Sequence, residues 1–199
     1  MAYSDFTVRK VKQTFGITTI EGPSFFPELE PIVPSQTLIE ILLETIPLAV
    51  ASPSEKAKSE LLISPILVEV RKYLNRQVSL FSGQDFTVDA GLGLSGICDF
   101  IFSQSTEQLE IEAPVVVLVE AKKADLNTGM GQCMAEMIAA QRFNQMSEQS
   151  VGVIYGCVSS GILWRFLKLE EQTVTIDLKD YGIDPIGPLL AKLVWMLKG

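Results

Sequence analysis

One stretch of the sequence decides the fold: Ala113-Pro-Val-Val-Val-Leu-Val-Glu-Ala-Lys-Lys-Ala-Asp125. A run of β-branched residues between a proline and a group of charges is typical of a strand buried on both faces, and less typical of a helix. Because strand side chains alternate, Glu120 and Lys122 point to one face of the predicted sheet and Ala121 points to the other. In any single Glu-x-Lys, the charges can also simply mark where a buried strand reaches water. Residues elsewhere in the chain must decide between a functional site and a strand end.

Composition predicts a single domain that spans residues 1–199. With 47% hydrophobic and 20% charged residues, the chain is large enough for one sizeable core. The longest apolar stretches fall far below the ~18 residues of a membrane span. Charged residues at Asp5, Arg9 and Lys10 stand where a secretory signal needs an apolar segment. We therefore expect a soluble, cytoplasmic protein without a membrane partner.

The sequence contains no histidine. This excludes Ser-His-Asp and Cys-His catalysis, zinc peptidases of the His-Glu-x-x-His type and histidine-based zinc deaminases. Carboxylate, lysine and metal chemistry remain for hydrolysis. The three cysteines, Cys98, Cys133 and Cys157, are widely spaced in apolar contexts, which predicts buried, reduced thiols. The net charge of -8 argues against a general nucleic-acid coat, but only weakly against a local site.

The first 53 residues predict a cover of helices for a core that follows. Ser4 can cap a short helix that runs to Phe15 and ends at Gly16. Four prolines make Glu21–Pro34 an extended connector without regular structure of its own. Ser35 begins an amphipathic helix with an acidic outer side, which is most simply a solvated face.

The next predicted helix starts near Ser54 and carries an apolar stripe at Leu61, Leu62, Ile66, Val70 and Leu74. This spacing places Glu60 next to the buried stripe and not opposite it. Glu60 can equally be a half-exposed residue beside Lys56 or Lys58. Pro65 removes a backbone donor inside the pattern, so the helix should kink or restart there.

The segment after this helix predicts two short strands and a glycine-rich turn. Val78–Phe81 and Phe86–Val88 suggest a hairpin. The stretch Gly91-Leu-Gly-Leu-Ser-Gly96 matches the dinucleotide motif Gly-x-Gly-x-x-Gly, but it leads into a strand, Ile97–Phe102, where that motif requires a helix. A turn between two strands is the better interpretation. In mid-strand, Asp99 is costly to bury without a partner or a cation.

The remainder of the chain predicts one long helix followed by strands. The helix runs from about Gly129 to Met146, with Gln132 off its apolar stripe and near the end of the central strand. Gln141 and Asn144 fall inside that stripe and should have buried hydrogen-bond partners. Three strands and a closing helix follow at Val151–Val158, Ile162–Leu169, Val174–Leu178 and Ile186–Lys198.

Taken together, the order is helix, hairpin, strand with Asp99, strand with Glu120 and Lys122, helix with Gln132, and strand. With these motifs the chain resembles the PD-(D/E)xK nuclease superfamily, whose restriction-endonuclease-like core has the order αβββαβ. Gly96-Ile-Cys-Asp-Phe100 resembles the Pro-Asp half of the motif, with Cys98 in place of the proline. Glu120-Ala-Lys122 resembles the Glu-x-Lys half.

The other functional residues of the superfamily have counterparts on the two helices. The helix glutamate resembles Glu60, with Glu55 as a less favoured candidate, and the glutamine of the following helix resembles Gln132. The resemblance covers residues 54–158. It implies an α/β fold with a central mixed sheet flanked by helices, extra N-terminal helices in 1–53, and a C-terminal hairpin and helix in 159–199.

The resemblance implies a nuclease that hydrolyses phosphodiester bonds, with DNA as the expected substrate and Mg²⁺ or Mn²⁺ as the cofactor. Asp99 and Glu120 would be metal ligands, with the Ala121 carbonyl as a third. Glu60 would hold a metal-bound water or a second cation. Lys122 would position or deprotonate the attacking water, and Gln132 would orient Lys122 or a phosphate.

A second hypothesis is a catalytically silent module for binding or interaction on the same fold. The acidic net charge favours it, because only small basic clusters could meet phosphates. Solvated charges explain these clusters equally well. The state of assembly, including a homodimer, stays open. The clusters are Arg71, Lys72 and Arg76 on one predicted helix, together with Lys122, Lys123 and Arg142.

Overall fold

The computed structural model describes residues 1–22, 24–52 and 54–198. They build a mixed eight-stranded sheet in the order β1-β7-β6-β5-β4-β3-β2, with β8 paired to β6. The neighbours β1 and β7 run parallel, as do β4 and β5, and the other pairs are antiparallel. The strands are β1 (Thr18–Gly22), β2 (Ser79–Asp85), β3 (Ile97–Ser103), β4 (Val115–Ala121), β5 (Ile154–Ser159), β6 (Leu163–Glu170), β7 (Thr173–Asp177) and β8 (Tyr181–Gly182).

Helices cover both faces of this sheet. Helices α1 and α5 lie on one face, where Cys133 and Met137 of α5 pack with Leu118 of β4. Helices α2, α4 and α6 lie on the other face, in a core that includes Phe100 and Val119. The expected α/β architecture, a mixed sheet flanked by helices, is confirmed. The helices are α1 (Val8–Phe15), α2 (Gln36–Ala51), α3 (Glu55–Lys58), α4 (Ser64–Tyr73), α5 (Asn127–Met146) and α6 (Gly187–Lys198).

Strand β4 is the buried centre that its sequence predicts. Every residue of the strand is buried, including Glu120 and Ala121 at its end. It pairs antiparallel with β3 and parallel with β5. A strand with neighbours on both sides and helices on both faces needs a continuous apolar run, and Val115–Val119 provides it.

The N-terminal region differs from its prediction in two places. Thr7 caps α1, because residues Tyr3–Asp5 form a separate 3₁₀ turn, while Gly16 ends the helix in the left-handed region at φ 68°. Strand β1 occupies part of the predicted connector, since Thr18–Gly22 pairs with β7 at the sheet edge. Residues 24–34 form no helix or strand, as predicted, and Pro23 lies outside the described residues.

The helix with the internal proline restarts as predicted. Ser54 caps α3, a π-helical turn covers Ser59–Ile63, and α4 begins at Ser64. The change of helix type immediately precedes Pro65, which has no N–H to donate to the preceding turn. The π turn also rotates the preceding residues about the helix axis, so they no longer continue the buried stripe of α4.

The predicted hairpin between 78–81 and 86–88 is wrong. Ser79–Asp85 is one strand, and the hairpin joins β2 to β3 through the loop 86–96. Gly83 adopts φ 63° inside β2, so the glycine that suggests a turn is accommodated within the strand. Gly93 and Gly96, at φ 80° and 138°, lie in the loop that leads into β3, as expected for a turn between two strands.

The C-terminal elements follow the prediction. Strand β5 starts at Ile154, three residues later than expected. Strands β6 and β7 form a hairpin, and Glu171 in its turn adopts φ 51°. Helix α6 closes the fold against α4 and β4.

Candidate functional site

Strands β3 and β4 bring Asp99 and Glu120 to the same end of the sheet. Their register pairs Phe100 with Val119 and Ile101 with Leu118. Asp99 and Glu120 are the next residues along these two strands, so they lie side by side on neighbouring strands. Asp99 Oδ2 accepts a hydrogen bond of 2.8 Å from the Ala121 N–H, which fixes the aspartate at the end of β4.

Glu120 and Lys122 form an ion pair at the end of β4. The Lys122 Nζ donates a hydrogen bond to Glu120 Oε1. The Glu120 side chain is only 1% exposed and the Lys122 side chain is 17% exposed, so the carboxylate is buried and the lysine is partly exposed. An anion and a cation side by side at the mouth of a buried strand are what the sequence predicts.

Helix α5 adds Gln132 and Glu136 to this cluster. The two residues are four positions apart and share one face of the helix. The Lys122 Nζ lies 3.5 Å from Gln132 Oε1, and the Gln132 Nε2 donates a hydrogen bond of 3.1 Å to Glu136 Oε1. Four of the predicted residues, Asp99, Glu120, Lys122 and Gln132, are therefore brought together.

Sequence reasoning missed Glu136, which is fully buried beneath the cluster. A signal was present, because Glu136 is the one charged residue between Asp125 and Arg142 in the sequence. Within the described part of the chain, Glu120 Oε2 and Glu136 Oε2 are buried without a hydrogen-bond partner. A buried polar atom of this kind requires a proton, a water molecule or a cation as its partner.

Burial dominates the ionisation of both glutamates. It raises the pKa of the Glu120 carboxyl above its ordinary value of 4.5, and the charges of Glu136 and Asp99 raise it further, while Lys122 lowers it without cancelling the effect. Burial also raises the pKa of Glu136, while the hydrogen bond that it accepts from Gln132 acts in the opposite direction. The cluster therefore binds protons more strongly than exposed carboxylates do.

Lys122 remains a strong base in this environment. Burial lowers the pKa of its amine, but the charge and hydrogen bond of Glu120, followed by the charges of Glu55 and Asp99, outweigh burial and raise the pKa. The ammonium form is therefore the form present at neutral pH.

The structure does not bring Glu60 to the cluster. Its side chain is 63% exposed and forms an ion pair with Lys56 at 3.6 Å. The reason is the π turn at Ser59–Ile63, because the buried positions of this turn are Leu62 and Ile63 and Glu60 faces outward. Glu55 is the glutamate of this segment whose charge acts on Lys122, although it is exposed.

The end of α3 lies against the β4–α5 loop. The Lys58 Nζ donates a hydrogen bond to the carbonyl oxygen of Lys123. The residues Lys58, Lys122 and Lys123 thus lie at one edge of the molecule, which we call the amine edge. Two other basic residues are engaged elsewhere: Lys72 pairs with Glu69, and the Arg71 Nε donates to the carbonyl of Val78.

Arg142 lies in the last part of α5, away from the amine edge, and pairs with Asp89 at 3.1 Å. Asn144 is buried as predicted, and it bonds both the N–H and the carbonyl of Val115 at 2.8 and 2.7 Å. Gln141, predicted to be buried, is only partly so, and its Nε2 bonds the Glu171 carbonyl. The three cysteines are free and buried, which confirms the predicted thiols.

The resemblance implies that Asp99, Glu120 and the Ala121 carbonyl hold a metal ion, and that Glu60 holds a metal-bound water or a second cation. Glu60 lies away from the other three. Across residues 1–22, 24–52 and 54–198, no three acidic, cysteine or histidine side chains are placed so that they could hold a metal ion by themselves. Mg²⁺ needs fewer protein ligands, since it keeps several waters and is held by one or two carboxylates and substrate phosphate. The unpartnered Oε2 of Glu120 beside Asp99 fits that mode of binding.

Comparison with protein-family models, curated proteins and solved structures gave no match for this chain. Among the helices that the structure describes, none is both long and apolar enough to cross a membrane. The fold and the cluster at the ends of β3 and β4 define an α/β protein with a buried acid and lysine site.

Proposed function

We propose that this protein is a metal-dependent nuclease of the PD-(D/E)xK type, which hydrolyses phosphodiester bonds in DNA. One observation carries the proposal: Asp99, Glu120, Lys122 and Gln132 converge at one end of the sheet, and the buried Glu120 has an oxygen atom without a donor. The order α4-β2-β3-β4-α5-β5 also supports it, because it is the order of the restriction-endonuclease-like core.

Asp99, Glu120 and the Ala121 carbonyl would hold Mg²⁺ or Mn²⁺. When bound, the ion would lower the pKa of a coordinated water and neutralise charge on the phosphate. The raised pKa of Glu120 means that a cation must displace a proton, so binding should strengthen as the pH rises.

Lys122 would act on the phosphate or on the attacking water. Glu120 Oε1 and Gln132 Oε1 accept hydrogen bonds from its ammonium group, which is therefore held in one place before substrate arrives. A preorganised positive charge stabilises the negative charge that develops on a phosphate during hydrolysis. Gln132 would keep the amine at the mouth of the site.

Contact with the DNA backbone would be local. The amine edge of Lys58, Lys122 and Lys123 offers positive groups beside the cluster. The net charge of -8 opposes binding elsewhere on the surface. Affinity should therefore be modest and should fall as salt is added.

The decisive experiment compares Lys122→Ala with Lys123→Ala in single-turnover cleavage of plasmid or oligonucleotide DNA with Mg²⁺ or Mn²⁺. Lys122→Ala should slow cleavage by about two to four orders of magnitude, because loss of one preorganised charge typically costs ~3 to 5 kcal/mol of barrier. Lys123→Ala, the neighbour of equal charge, should change cleavage only slightly. DNA affinity should change little in both, since one phosphate contact is worth only ~1 kcal/mol at moderate salt.

Wild-type protein that cleaves nothing with either metal, relative to a chelator control, would remove the nuclease proposal. Equal and small effects of Lys122→Ala and Lys123→Ala on the cleavage rate would mean that Glu120-Ala-Lys122 is only the point where a buried strand reaches solvent. The interaction module predicts both of these results. Thermal unfolding of each variant checks that the fold is intact.

A further inference from the structure

Glu136 is a carboxyl group without an evident structural purpose. It is fully buried on α5, and its neighbours in the sequence include Cys133, Met134 and Met137, which belong to the core. Its Oε2 has no partner among the described residues. Burying a polar atom without a hydrogen bond destabilises a fold, and an apolar residue of similar volume at such a position is often neutral or stabilising. Packing alone therefore does not explain an acid here.

The contact that Glu136 does make leads to Lys122. Its Oε1 accepts a hydrogen bond of 3.1 Å from Gln132 Nε2. The Oε1 of the same amide lies 3.5 Å from Lys122 Nζ. A continuous path thus runs from the buried end of the cluster, through one amide, to the amine at its mouth.

The chemistry of the three groups fixes the direction of the amide. An ammonium group can only donate hydrogen bonds, so the oxygen of Gln132 must face Lys122. The nitrogen of Gln132 then needs an acceptor on the other side, and Glu136 provides one in either protonation state. Without that acceptor the amide could turn over and point its NH₂ group at the ammonium, which would push the amine away from Glu120.

We propose that Glu136 is a positioning residue, which acts through Gln132 to hold the Lys122 ammonium beside Glu120. It does not touch the substrate. The inference deepens the proposed nuclease function, and its activity readout rests on that function. It also explains why an acid occupies a buried position where Met would pack as well.

The test compares Glu136→Met, which removes the acceptor, with Glu136→Gln, which keeps one. In single-turnover cleavage at saturating DNA and Mg²⁺, Glu136→Met should be slower by about 10- to 100-fold, the usual effect of losing a residue that orients another. DNA affinity should not change. Glu136→Gln should retain most of the wild-type rate, and both variants should unfold at or above the wild-type temperature.

A second comparison isolates the path through Gln132. In a Gln132→Met background, Glu136→Met should have no further effect on the rate, because Glu136 acts only through the amide. Crystal structures of Glu136→Met and Glu136→Gln give a readout independent of activity. The Gln132 side chain should leave its contact with Lys122 in the first and keep it in the second.

Three results would overturn the inference. The first is a wild-type cleavage rate in Glu136→Met, and the second is a loss of cleavage rate in Glu136→Gln that equals the loss in Glu136→Met. The third is a fall in the unfolding temperature of Glu136→Met, which would make Glu136 a structural residue. If wild-type protein shows no metal-dependent cleavage, the proposed function fails separately. In that case the position of Gln132 in the two crystal structures still decides the positioning role.

Discussion

Gly131 of α5 offers a sharp test of how the N-terminal segment is packed against the helix that carries Gln132 and Glu136. A Cβ atom at this position would lie 2.5 Å from Thr7 Cα and 2.6 Å from Thr7 C, and against the Phe6 carbonyl oxygen. These are backbone atoms, so a side-chain rotation cannot relieve the contact. Ordinary contact begins at 3.4 Å, and the segment would have to move by roughly 1 Å.

Two opposing effects determine how much Gly131→Ala changes the free energy of unfolding. Alanine in a helix interior stabilises the helix by about 1 kcal/mol relative to glycine. Displacement of the segment loosens Tyr3 and Phe6, which are 1% and 4% exposed. Full burial of a large apolar side chain is worth about 1.5 to 3 kcal/mol. With partial loss at both residues, we expect Gly131→Ala to lower the free energy of unfolding by about 2 to 4 kcal/mol.

Urea denaturation followed by circular dichroism measures this change. Gly152→Ala is the matched control, because no atom lies within 4 Å of its new Cβ, and it should shift stability by less than about 0.5 kcal/mol. A Gly131→Ala protein as stable as wild type would refute the argument, since helix propensity would then outweigh the packing of Phe6 and Thr7 on α5.

Two further predictions concern the acidic cluster. Mn²⁺ should bind to the wild-type protein and raise its unfolding temperature, whereas Asp99→Asn should bind at least about tenfold more weakly in titration calorimetry; equal binding by both proteins would remove the metal site. Without metal, stability should fall as the pH rises above 4.5, because the folded state holds a proton on the coupled pair of Glu120 and Glu136 that the unfolded chain has released. The contribution is complete below 4.5 and is lost as the pH passes through the raised values. Unfolding temperatures from pH 5 upward should show a shallower fall in Glu120→Gln, and an unchanged slope would contradict the assignment.

The sequence predicts the fold best where a local pattern of residues allows only one structural interpretation. The run Val115–Val119 can only be buried, and a buried strand ending in Glu120 and Lys122 is what β4 shows. Asp99 gives a similar signal, because a carboxylate in an apolar strand needs a partner, and the Ala121 N–H provides it. These residues meet because strand alternation and register act over short distances.

The errors arise where tertiary structure overrides the local pattern. Glu60 fits a regular helix with one apolar stripe, and the π turn shifts it outward. The burial of Glu136 is not predicted, because the sequence is interpreted as a helix with a single apolar stripe. Small residues such as Ala135 and Ala139 allow α5 to be buried on nearly all sides, so a polar residue outside the stripe can also be buried. Strand β1 has no apolar alternation that marks a strand, and only its pairing with β7 defines it.

That pairing has a consequence for biosynthesis. Thr18–Gly22 runs parallel to Thr173–Asp177, roughly 150 residues further along the chain. During translation at ~5 to 20 residues per second, β1 leaves the ribosome many seconds before its partner exists. Closing so long a loop is also a slow step in folding, because the entropy is lost before the contact forms. The segment emerges early and takes its place at the sheet edge only after β7 has been made.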